Sequence, residues 1–136
     1  MTQSSDPNPR VDVSLAAAAT PAERMHRRVI PSSGEELPVV GCGTYVGFDV
    51  APGSAAYREL PGVLQALFDA GGSVLDSSPM YGRAESTLGE LLESTGSRNR
   101  AFVATKVWIS SRERGIEQMT ESMKRVRMKT LGLIKI

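Results

Sequence analysis

Four short apolar segments, near residues 40, 74, 103 and 133, recur along the chain with one amphipathic stretch between each and the next, and this repeat restricts the fold more than any other feature. The segments are the run ending at "GCGT", then "SVLDS", "AFVATK" and "LGLIKI". Between the first two, "YRELPGVLQALFDAGG" puts Leu60, Val63, Leu64, Leu67 and Phe68 on one helical face and stops at paired glycines. "AESTLGELLEST" has Leu88, Leu91 and Leu92 at helical spacing, and between Ser111 and Met128 the residues Ile116, Met119, Met123 and Val126 fit a longer helix with a basic outer face. The repeat is a βα unit of about 30 residues. Such alternation builds a parallel sheet with helices outside it, either an open doubly wound sheet or part of a (β/α)8 barrel. In both, ligands meet the loops at the carboxyl ends of the strands.

What precedes the repeat is of two kinds. Residues 1–25 are polar and Pro-containing, show no period, and read as a disordered tail; the domain is expected over 26–136. The block "SLAAAAT" resembles the end of a signal peptide, but Asp6, Arg10 and Asp12 stand where its apolar region belongs, so export is the minor alternative to a cytoplasmic protein. From residue 29, Val29 to Ile30 and Leu37 to Val40 flank Ser32, Ser33 and Gly34, which predicts a small hairpin running into a buried strand. A formal charge of +1, from 16 basic and 15 acidic residues, draws the chain to neither nucleic acid nor an anionic membrane. No apolar run approaches the roughly 20 residues that span a bilayer. The single cysteine, Cys42, has no disulfide partner and reads as buried and inert, and no Cys/His cluster has metal-ligand spacing.

The strand ends hold the chemistry. Gly43, Thr44 and Tyr45 follow the first, Asp76 and Tyr81 the second, and Lys106 closes the third. A phenol is a poor proton donor near neutral pH unless a cation stabilises its anion. Lys106 supplies such a cation, Asp76 can hold it, and Tyr81 is then a general acid able to protonate a carbonyl oxygen as hydride reaches carbon. Of the neighbours, Glu85 reads as capping or orienting the helix that follows. Trp108 is either a wall of a substrate pocket or a packed aromatic, and Lys124, Arg125, Arg127 and Lys129 form a solvated basic face. A dinucleotide fingerprint fails, because Gly41, Gly43 and Gly47 are spaced one residue too far apart, and a Tyr-x-x-x-Lys pair fails because Glu85 stands four residues after Tyr81.

The run from "RRVIPSSGEELPVVGCGTYVGFDV" through "LDSSPMYGRAESTLGELL" to "VATKVW" resembles the amino-terminal half of an aldo-keto reductase. The opening hairpin, G-x-G-T, D-S-S-x-x-Y-G-x-A-E followed by L-G-E, and T-K at a strand end all stand in family order. The resemblance implies a (β/α)8 barrel, present as about four βα units, that reduces small aldehydes or ketones with NADPH. It carries Asp76, Tyr81 and Lys106 onto three of the family's four catalytic residues. It places Gly43, Thr44, Tyr45 and Asp76 beside the nicotinamide, and Tyr45 with Trp108 around the substrate. The fourth residue, a histidine just after the fourth strand, has no counterpart: the chain reads "LGLIKI" there, and its one histidine, His26, precedes the hairpin. The expectation is therefore a truncated form, with self-association through open sheet edges and, as an alternative function, a non-catalytic subunit or interaction fragment.

Overall fold

The structure is a computed structural model and describes residues 25–136. The tail expected over residues 1–25 lies, but for Met25, outside the described residues. The hairpin is present: β1 (Arg27–Val29) pairs antiparallel with β2 (Glu36–Pro38), Arg28 opposite Leu37. Its turn closes where the Gly34 N–H donates to Ile30 O at 2.9 Å. Met25, just ahead of the hairpin, lies against Gly71 at the amino end of the second βα unit, so the hairpin sits away from the strand ends that bear the chemistry.

The repeat follows as β3 (Cys42–Gly43), α1 (Ala55–Asp69), β4 (Val74–Asp76), α2 (Ala84–Ser94), β5 (Phe102–Lys106), α3 (Arg112–Arg125) and β6 (Leu133–Lys135). The four strands form one parallel sheet in the order β3-β4-β5-β6, which is the α/β arrangement of a partial (β/α)8 barrel. One residue in two along each strand faces the helices. Leu75 of β4 and Val103 of β5 do so and are fully buried. They join Leu60, Leu64 and Phe68 of α1, Leu88, Leu91 and Leu92 of α2, and Val126 at the end of α3 in a single core. Ser54 caps α1 by accepting the Tyr57 N–H at 3.1 Å.

Four local expectations need correction. Leu37–Val40 is not a buried strand: Leu37 and Pro38 belong to the hairpin, Val39 and Val40 are exposed, and the first parallel strand shrinks to two residues. Directly ahead of that strand the backbone of Gly41 lies so close to Val74 that a Cβ would sit 2.7 Å from Val74 O. Val63 is exposed because α1 buries the i, i+4 line Leu60, Leu64 and Phe68. Ile116 is likewise exposed: α3 turns Gly115 and Ser122 inward, Gly115 toward Val107 and Ser122 toward Glu85. Finally, the basic run is not simply solvated. Arg127 is ion-paired with Glu93, and Arg125 with Glu121 and Glu85, so part of the run fastens α3 to α2.

Candidate active site

Strand register brings the functional groups together. Pairing of β4 with β5 sets Asp76 beside Ala104, and pairing of β5 with β6 sets Lys106 beside Lys135. Because side chains alternate along a strand, Asp76, Ala104, Lys106 and Lys135 point to the same side of the sheet, away from the helices. The Lys106 ammonium donates to Asp76 Oδ2 at 2.8 Å and to the Ser77 carbonyl at 2.7 Å. An ammonium has three N–H groups, and the Lys106 nitrogen lies 4.9 Å from the centre of the Tyr81 ring. The expected acid, phenol and ammonium are therefore in one cluster.

A second ammonium joins them. Lys135 Nζ donates to Asp76 Oδ1 at 3.2 Å, so one carboxylate is shared by two lysines on neighbouring strands. Like charges set directly opposite each other destabilise a sheet, and the carboxylate between them offsets that repulsion. Sequence reasoning passed over Lys135, although "TK" and "IK" close successive strands of the same repeat.

Burial works against the Asp76 charge, but the hydrogen bonds from Lys106 and Lys135 outweigh it and hold the carboxyl below its usual 3.8. For Lys106, burial opposes the charge, and the bond to Asp76 with the nearby phenol overrides it, raising the ammonium above its usual 10.5. A depressed acid stabilises the fold above its ordinary pKa and ceases to as pH falls through the folded value. A raised ammonium does so below its ordinary pKa and ceases to as pH rises through the folded value. The pair's contribution is thus expected to be flat from about pH 5 to 10, with an acid limb below the usual carboxylate range. Lys135→Met removes one of Asp76's two donors, so urea denaturation as a function of pH should show the acid limb moving to higher pH. An acid limb at the same pH would contradict the shared carboxylate.

The loop after β4 is compact. Ser78 Oγ accepts the Met80 N–H at 3.2 Å, the Tyr81 N–H reaches Ser78 O at 3.1 Å, and Gly82 turns with φ +55°. The loop after β3 lies against it. Thr44 is fully buried, its hydroxyl 2.8 Å from Ser77 Oγ and 3.1 Å from Asp76 O, and the Tyr45 and Tyr81 rings meet with centroids 4.9 Å apart, tilted by 54°. Val46 is held at φ +58°, with the Gly47 N–H reaching back to Tyr45 O at 2.6 Å. A β-branched residue in that region costs on the order of 1–3 kcal/mol, a strain typical of loops that place a functional side chain. Tyr45 itself is two-thirds exposed, and a Cβ added at Gly43 would meet nothing within 4 Å, so this part of the rim is open.

Three neighbours are placed more narrowly than the residues alone allow. Glu85 does not cap α2. Its side chain is buried, 1% exposed, and it accepts from Thr105 Oγ1 at 2.6 Å and Ser122 Oγ at 3.1 Å, with Arg125 Nη1 3.8 Å away. It binds α2, β5 and α3 to one another, one residue from Lys106. Trp108 is not a packed aromatic: it is 72% exposed and borders a recess with Val107, Ile109, Ser110 and Ile136. Cys42 is half-buried rather than buried, and that burial raises its thiol pKa, which disfavours the reactive thiolate. Among the described residues no group of three or more His, Cys, Asp or Glu could hold a metal ion, and no helix is long and apolar enough to cross a membrane.

Residues 40–136 match the profile described as the aldo/keto reductase family. No curated protein matches the chain significantly. Among solved structures, a protein described as an aldo-keto reductase from Pseudomonas aeruginosa is 26% identical, with a TM-score of 0.70 over 83% of this chain and 49% of that one. An aldo/keto reductase from Klebsiella pneumoniae, in complex with NADP and acetate, is 26% identical, with a TM-score of 0.56 over 74% and 35%. Another aldo-keto reductase from Klebsiella pneumoniae, in complex with NADPH, is 23% identical, with a TM-score of 0.64 over 81% and 39%. The chain thus spans about half the length of the first of these structures and less of the others.

Proposed function

The chain belongs to the aldo/keto reductase family, and from that premise we propose that its rim serves the NADPH-linked reduction of a small aldehyde or ketone to the alcohol. The observation that carries the reading is the cluster in which Asp76 holds the Lys106 ammonium 4.9 Å from the Tyr81 ring. Tyr81 donates its hydroxyl proton to the carbonyl oxygen. Lys106 keeps a fixed positive charge beside the phenolate that this leaves, and Asp76 fixes the lysine in both place and protonation state. Because these charges are positioned before any substrate arrives, little reorganisation accompanies the proton transfer.

The open surface at Gly43 and the exposed Tyr45 ring fit a planar nicotinamide, with the backbone of Gly43 and Thr44 and the carboxylate of Asp76 beside it. The chemistry NADPH supplies when bound is delivery of a hydride to the carbonyl carbon. Tyr45 bounds the substrate side, and Trp108 is proposed to wall it. The protein is proposed to be cytoplasmic.

The test is NADPH consumption with a reactive aromatic aldehyde, run beside Tyr81→Phe. The wild-type chain is expected to oxidise NADPH, and loss of the phenol should lower turnover by about 10²–10⁴. Equal turnover in the two proteins would remove Tyr81 from the chemistry, and no turnover in either would mean that this chain has no reductase activity of its own.

A further inference from the structure

The two rim loops hold each other at both ends. At the near end the buried Thr44 hydroxyl lies against Asp76 O and Ser77 Oγ, and the Thr44 N–H donates to Asp76 O at 2.9 Å. At the far end Asp49 Oδ1 accepts the backbone N–H of Arg83 at 2.8 Å. Between these ties lie the Tyr45 and Tyr81 rings. Gly82, directly after Tyr81, is packed so closely on Asp49 that an added Cβ would fall within the carboxylate.

We infer that Asp49 is a positioning residue for Tyr81, its carboxylate fixing the turn from which the phenol reaches the rim. Asp49 is itself well placed to do so. Its N–H donates to Val46 O at 3.1 Å, and the preceding Phe48 is anchored in the core, 3% exposed, with its own N–H on Thr44 O. A carboxylate at the amino end of a helix also meets that helix's unpaired amides and the positive end of its dipole, which favours the geometry. Without Asp49 the backbone of the Tyr81 turn keeps local bonds, Met80 N–H to Ser78 Oγ, Tyr81 N–H to Ser78 O and Ala84 N–H to Tyr81 O, beside the ring's contacts with Tyr45 and the Lys106 ammonium. The catalytic meaning of this role rests on the reading of Tyr81 as proton donor; the positioning itself does not.

The test is NMR of the full chain with Asp49→Ala, Asp49→Asn and Gly82→Ala, the last in both the wild-type and Asp49→Ala backgrounds. In Asp49→Ala, Arg83 amide exchange should rise by at least about tenfold and the Tyr81 ring signals should move, while the Leu75 and Val103 methyls stay in place. Asp49→Asn should preserve both the amide protection and the ring signals, because an amide oxygen accepts the same bond. Gly82→Ala should disturb the Tyr81 ring in both backgrounds, because φ +55° strains an alanine, and more in the wild-type background, where its Cβ also meets the Asp49 carboxylate. Unchanged exchange and ring signals in Asp49→Ala would overturn the inference. So would collapse of the core methyl signals, which would make Asp49 part of the scaffold, failure of Asn to substitute, or an equal effect of Gly82→Ala in the two backgrounds. None of these readouts needs turnover, so a Tyr81→Phe protein as active as wild type would defeat the catalytic reading and leave the role of Asp49 standing.

Discussion

Gly89→Ala is expected to destabilise this chain by about 3 kcal/mol or more, although an alanine in the middle of a helix ordinarily stabilises it. Glycine gives up about 0.8–1.0 kcal/mol relative to alanine in a helix interior, so propensity alone predicts a gain. At Gly89 the contact decides otherwise. A Cβ built there overlaps Arg125 O and comes within 2.9 Å of Val126 Cα, and these are backbone atoms at the end of α3 that no rotamer change can move. The helices would have to separate, opening the core around Leu88, Leu92 and Val126, all fully buried. Overpacking against side chains costs about 1–3 kcal/mol; against backbone we expect at least the upper end, a large part of the roughly 5–15 kcal/mol that holds an ordinary domain together. Gly62→Ala in α1 is the control, since a Cβ there meets nothing within 4 Å, and it should raise stability by about 0.5–1 kcal/mol. Urea denaturation of the two variants should move in opposite directions. A Gly89→Ala protein as stable as wild type would show that α2 and α3 do not approach so closely.

The second large effect is expected at Glu85. Its carboxylate accepts from Thr105 and Ser122 with 1% of the side chain exposed, and Arg125 lies at the edge of the group. Hydrogen bonds to a charged partner contribute about 1.5–3 kcal/mol each, while the desolvation of the carboxylate offsets part of that. Glu85→Ala leaves two buried hydroxyls unpaired and a gap among three elements, and about 2–4 kcal/mol should be lost. Glu85→Gln keeps an acceptor oxygen and nearly the same volume, so its loss should be about 1 kcal/mol. The melting temperature reads this directly, since 1 kcal/mol corresponds to about 4 °C in a domain near this size. Equal melting of the Ala and Gln variants would mean that neither the volume nor the neutral acceptor oxygen that Gln keeps is what Glu85 contributes.

The βα order and the Asp76, Tyr81 and Lys106 cluster were legible in the residues because each is a local signal: apolar runs at regular intervals, and polar groups where those runs end. What the residues did not disclose depends on three-dimensional approach. Val63 and Ile116 fit a helical stripe as well as their neighbours do, and only the rotation of each helix against the sheet leaves them exposed. Lys135 looks like any lysine at a strand end until the β5–β6 register sets it beside Lys106. Asp49 sits in a loop with no motif of its own, and its carboxylate acquires a role only because the turn at Gly82 folds against it. Glu85 reads in the sequence as serving the helix it begins, whereas its partners come from β5 and α3.

The sheet's two faces differ in burial. Leu75, Val103 and Thr105, toward the helices, are sealed, whereas on the other face, the buried Ala104 excepted, Val74, Asp76, Lys106, Leu133 and Lys135 keep partial or full access to solvent. Adaptation can therefore proceed on one face at little risk to the other. Substitutions at the exposed Leu133 can accumulate without passing through an unfolded intermediate variant, while the same changes at Leu75 or Val103 would be eliminated with the core they disrupt. A lineage built on this sheet can vary one face while the other keeps the protein folded.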